Sequence, residues 1–79
     1  MHIDNLVHMA NRIGEFFQAM PDREEARREI AQHLRKFWEP RMRRALLEHV
    51  GGAGADGLMD IVRDAVREHR EALMPTSPA

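Results

Sequence analysis

The sequence predicts an all-α fold, a small bundle of about four helices with a glycine-rich loop before the last one. Three observations lead there. Apolar residues recur at three- and four-residue intervals along nearly the whole chain, the spacing of one helix face. No run alternates apolar and polar residues as a half-buried strand does. Apart from Gly14 and the tail prolines Pro75 and Pro78, proline and glycine fall between the periodic stretches: at Met20-Pro21-Asp22, at Glu39-Pro40 and in GGAGADG, residues 51–57.

Each element follows from its residues. Over roughly Asp4 to Ala19, the residues Leu6, Met9, Ala10, Ile13, Phe16, Phe17 and Met20 fall within an arc of about 120°, with Asp4 as N-cap. Gly14 costs about 1 kcal/mol there relative to Ala, so either a bulky neighbour packs against it or it is neutral drift. Pro21 ends this helix, and Asp22 with Glu25 forms a capping-box-like start for the second. In that second helix Ala26, Ile30, His33, Leu34 and Phe37 share an arc of about 100°, opposite Arg28, Glu29, Gln32, Arg35 and Lys36. Pro40 disfavours helical geometry at Glu39 and opens the third helix, which runs to about Val50. Met42, Ala45, Leu46, His49 and Val50 line one side of it, and Leu47 falls outside that stripe. GGAGADG, with four glycines, is expected to be mobile. The last helix, about Leu58 to Leu73, gathers Leu58, Ile61, Val62, Ala65, Val66, His69, Ala72 and Leu73, with Asp60/Arg63 and Asp64/Arg67 pairs opposite. One helical domain over 1–74 and a disordered tail over 75–79 complete the expectation.

Length and composition narrow the function. A chain of 79 residues has room for one module, and such scaffolds rarely gain more than about 3–5 kcal/mol from their core, so marginal stability or a stabilising partner is expected. No cysteine is present, which removes disulfides and thiolate metal sites and points to a reducing, cytoplasmic setting. Neither an export signal nor a membrane span is expected. Twelve Lys and Arg against thirteen Asp and Glu supply no global attraction to nucleic acid or anionic lipid.

The sequence has no Gly-rich phosphate loop, no HExxH and no Ser or Thr before Thr76, which excludes the common nucleophiles. No two of His2, His8, His33, His49 and His69 stand at helical metal-ligand spacing, and the last three map to apolar faces. No catalytic, cofactor-binding or metal-binding residue is therefore expected. Residues 35–44 stand apart, with five basic side chains and one acid around Trp38, the only tryptophan. Trp38 either plugs a corner ringed by solvated arginines or joins them in gripping a partner protein. The candidate partner-binding residues are Trp38, Pro40, Arg41, Met42, Arg43, Arg44 and Leu47.

The succession from Asn5 to Val50 resembles a known family through MANRIGEFF, the AMPD turn followed by EA, and HLRKFWEPRMR. It is similar to the delta subunit of soluble, multi-subunit NAD-dependent formate dehydrogenases of bacteria, well over residues 3–50 and weakly in the last helix. The resemblance implies a non-catalytic accessory subunit that stabilises or helps mature the cofactor-loaded enzyme. Its partners would be a large catalytic subunit, carrying a molybdenum or tungsten bis-pyranopterin and iron–sulfur clusters, and through it the subunits holding flavin mononucleotide and the NAD site. An independent helical adaptor or nucleic-acid-binding module is the alternative.

Overall fold

The computed structural model describes residues 2–52 and 55–75. Five helices follow one another: α1 Ile3–Phe17, α2 Arg23–Phe37, α3 Pro40–Gly51, α4 Asp60–Glu68 and α5 Arg70–Leu73, and no strand occurs among the described residues. The all-α bundle is as the periodicity predicts, with four substantial helices and a final single turn. Part of the mobility expected of GGAGADG falls on residues 53–54, outside the described residues, as do residues 76–79 of the expected tail.

Local signals place most boundaries. Asp22 caps α2, its Oδ1 accepting from the Glu24 and Glu25 amides at 3.0 and 3.2 Å. The reciprocal half of a capping box does not form, because the Glu25 carboxylate turns to Arg28 at 3.7 Å. The N-cap position of α1 falls two residues earlier than expected, at His2 rather than Asp4. Asp4 lies in the first turn, where its charge complements the helix dipole without capping. Pro40 opens α3 behind an extended Glu39, φ −66° and ψ 153°. The last expected helix is broken at His69, φ −108° and ψ 29°, which rotates Ala72 out to solvent and keeps Leu73 in the core at 1% exposure.

α2 and α3 each pack against α1, α4 and α5. The largest fully buried side chains are Ile30 and Leu34 of α2, Leu46 of α3, Val62 and Val66 of α4, and Leu73. Four residues of the expected apolar stripes are exposed: Ala72, together with Met9, Phe16 and Phe37 at 43%, 74% and 70%. Met9 and Phe16 share one edge of the α1 stripe, whereas Phe37 lies mid-stripe but is the last residue of α2. Leu47 departs in the other direction, half-buried and packed on the core. Of the two expected ion pairs on α4, Arg63 meets Asp60 at 3.2 Å, while Asp64 binds Arg63 at 3.0 Å in place of Arg67.

Gly14 sits where α1 crosses α4. A Cβ there would overlap Val62 Cγ2 and meet Met59 Sδ at 3.3 Å, so close packing and not drift explains the glycine. Val62 is β-branched and held to one rotamer in its helix, so it cannot swing aside. Gly14→Ala is expected to destabilise by about 1–3 kcal/mol of overpacking despite Ala's better helix propensity. A thermal melt checks this, at about 4–8 °C per kcal/mol. A raised Tm would mean that α4 stands off from α1.

Asn11 ties the incoming loop to α1. Its Nδ2 donates to the Gly57 carbonyl at 2.8 Å and its Oδ1 accepts from the Met59 amide at 2.9 Å, partners that also fix the orientation of the amide. Asn11→Ala removes both bonds at once. The expected loss is about 1–2 kcal/mol, with faster hydrogen exchange at the Met59 amide.

Candidate protein-docking site

The corner between α2 and α3 is built by Pro40. Trp38 leaves helical geometry at φ −90° and ψ 138°, its amide still donating to Leu34 O at 3.0 Å, and the chain restarts as α3 two residues later. The indole turns inward. Trp38 is 6% exposed and belongs to the core cluster with Leu34 and Leu46, so the surface of the corner is made by the groups around the ring and not by the ring.

The remaining corner residues divide into two sets. Met42 is half-buried against the core, and Arg43 reaches back to α5, its Nη1 donating to the Leu73 carbonyl at 3.4 Å with its Nε buried. These two brace the fold. Pro40, Arg41 and Arg44 face solvent, and no carboxylate lies within ion-pair distance of either arginine among the described residues. Arg44 and Leu47 line an open groove of about 570 Å³ with Glu48, Gly51, Arg70 and Met74. Met74 is 51% exposed there, so the groove combines apolar surface with two guanidinium groups and one carboxylate, that of Glu48. On the other side, Arg35 and Lys36 share a cleft with Arg43, Glu71 and Ala72. The fold thus divides the basic stretch of residues 35–44 between two clefts beside α5, with Arg41 exposed outside both.

Such a surface suits recognition of carboxylates, because exposed guanidinium groups present forked donors beside apolar contact area. The histidines are dispersed. His33 meets Phe37 in a tilted ring contact, the Nε2 of His49 lies 2.8 Å from Asp56 O, and the Nε2 of His69 lies 3.2 Å from Glu68 Oε1 without hydrogen-bond alignment. No group of three or more His, Asp or Glu gathers among the described residues as a metal site would need. None of the described helices is long and apolar enough to cross a membrane.

The family model of the NADH-dependent formate dehydrogenase delta subunit, FdsD, matches residues 5–66. The chain belongs to this family. The match covers α1 to α3 entirely except for the first two residues of α1, and it runs on through Val66 of α4. Family character therefore extends beyond residues 3–50, into the helix whose resemblance was weak in sequence. No curated protein matches the chain, and no solved structure does. As a delta subunit by family, it is implied to associate with other formate dehydrogenase subunits.

Sequence reasoning missed one surface of this delta-subunit chain. Phe16 and Phe37, assigned to core stripes, are exposed in α1 and α2. No sequence signal separated them from the buried members of their stripes, because periodicity gives a direction around the helix axis and not what covers it.

Proposed function

We propose that this chain is a non-catalytic subunit of a multi-subunit NAD-dependent formate dehydrogenase, and that it stabilises or helps mature the cofactor-loaded large subunit. The observation that carries this reading is the family match across residues 5–66. The composition agrees with a non-catalytic role, since the chain has no Cys and no Ser or Thr before Thr76. In this reading the complex oxidises formate to CO2 and reduces NAD. The molybdenum or tungsten bis-pyranopterin, the iron–sulfur clusters and the flavin mononucleotide belong to the other subunits, and this chain holds none of them. The complex works in the cytoplasm.

The mechanism is thermodynamic linkage. A small subunit that binds one conformation of the large subunit more tightly than others raises that conformation's population by its differential affinity. If the favoured conformation is the one that accepts or retains cofactor, docking increases cofactor occupancy without any chemistry on this chain. Arg41, Arg44 and Leu47 supply the contact, with Trp38, Pro40, Met42 and Arg43 holding the corner in shape.

The test is expression of the complex with and without this chain. An affinity-tagged chain is expected to copurify with the large subunit, and its omission is expected to lower the metal content of that subunit together with formate-dependent NAD reduction. Undiminished metal content and activity in its absence would refute the maturation role. Copurification with subunit counting distinguishes a resident subunit from one that leaves after loading.

A further inference from the structure

Four rings run in an unbroken row between α1 and α2. The centroids of Phe16 and Phe17 are 4.9 Å apart, those of Phe17 and His33 6.2 Å, and those of His33 and Phe37 4.8 Å. The row ends in Phe16 and Phe37, 74% and 70% exposed. Beside it opens a groove of about 350 Å³ lined by Arg12, Ile13, Phe16, Phe17 and His33. Arg12 has no carboxylate within ion-pair distance among the described residues. One exposed phenylalanine is ordinary, but a row of rings bordering a concave space is a recognition surface.

We propose that this groove receives an amphipathic helix of another, larger subunit, which seats an apolar side chain among the rings and brings a carboxylate to Arg12. The inference rests on the subunit reading and adds a second contact to it, separate from the Arg41 and Arg44 corner. Two arguments choose the occupant. The two outer rings offer on the order of 300 Å² of apolar surface, against roughly 800 Å² per partner in a stable interface, so they serve as an anchor within a wider contact. Charge disfavours a second copy of this chain. A twofold contact sets the same patch against itself, and the lining holds no acid that its one arginine could meet on a second copy. A helix laid in a groove, with anchors one turn apart, satisfies both ring and guanidinium.

The experiment uses the co-expressed formate dehydrogenase complex carrying a tagged copy of this chain. Phe16→Ser with Phe37→Ser, both at exposed positions, is expected to keep wild-type circular dichroism and to compete roughly thirtyfold less well with the unmodified chain for retention by the complex. Arg12→Glu is expected to weaken retention as well, and Arg12→Lys to restore most of it. A benzophenone photocrosslinker in place of Phe16 is expected to label a helix of a larger subunit that contains apolar and acidic residues. Unchanged retention of the double Phe variant, or crosslinks confined to a second copy of this chain, would overturn the inference. If even the unmodified chain is not retained, the subunit reading fails and this inference falls with it. Wild-type retention together with variant retention sinks this inference alone.

Discussion

Trp38→Ala is expected to leave the isolated chain largely unfolded. The indole is 6% exposed in the core cluster, at the point where α2 stops and α3 starts. Truncating a buried aromatic to alanine costs about 3–5 kcal/mol, the lost transfer energy plus the cavity left behind. A scaffold of this size draws only about 3–5 kcal/mol from its core, so the loss is comparable with the whole margin. Far-UV circular dichroism should fall towards that of a disordered chain, and the cooperative melt should disappear. Trp38→Phe, which keeps an aromatic ring in the corner, should retain a cooperative but lower transition. Adding the partner subunit should partly restore helicity to the Ala variant, since a ligand that binds only the folded form shifts the equilibrium by mass action. A wild-type Tm for Trp38→Ala would mean that the corner is held by its backbone and Pro40 alone.

Arg41→Glu with Arg44→Glu is expected to abolish copurification with the large subunit while the fold survives. Both side chains are exposed and neither has an ion partner among the described residues, so reversing them disturbs no internal contact. At a docked interface the same change replaces attraction by repulsion. Losing one hot-spot side chain weakens binding by about 2 kcal/mol or more, roughly thirtyfold, and a double reversal should exceed that. Formate-dependent NAD reduction in the co-expressed complex should fall in step. Arg43 is left out of the test because its tether to the Leu73 carbonyl would confound docking with folding. Contacts made by exposed arginines are screened by salt, so wild-type association should itself weaken at high ionic strength. Normal copurification and unchanged activity of the double variant would reduce the corner to a solvated bend.

The candidate surface was only partly legible in the sequence. The basic character of residues 35–44 can be read directly, as can the exposure of Arg41 and Arg44 from their position on the third helix. The roles of Trp38 and Arg43 cannot. Whether an indole at a helix end points into the core or out to a partner depends on which helices arrive beside it, and here α3 closes over it with Leu46. Arg43 likewise finds its acceptor thirty residues away, in a carbonyl exposed by the end of α5. The exposed phenylalanines were hidden by the same periodicity that revealed the helices, because an apolar stripe reads alike whether a neighbour covers it or not.

By itself the sequence determined the all-α class, the capped start of α2 at Asp22, the corner at Pro40 and the core positions Ile30, Leu34, Leu46, Val62 and Val66. These depend on interactions within a turn or two of chain, or on apolar burial that any compact packing of the same helices must satisfy. Only the tertiary structure decided which stripe residues stay wet, leaving Met9, Phe16 and Phe37 in solvent and drawing Leu47 onto the core. It also decided that Gly14 is a contact with Val62, and that Asn11 bridges to Gly57 and Met59. The reason is physical: helix periodicity specifies directions around each axis, but burial depends on the position and rotation of every neighbouring helix. Those are set by non-local packing across the whole bundle.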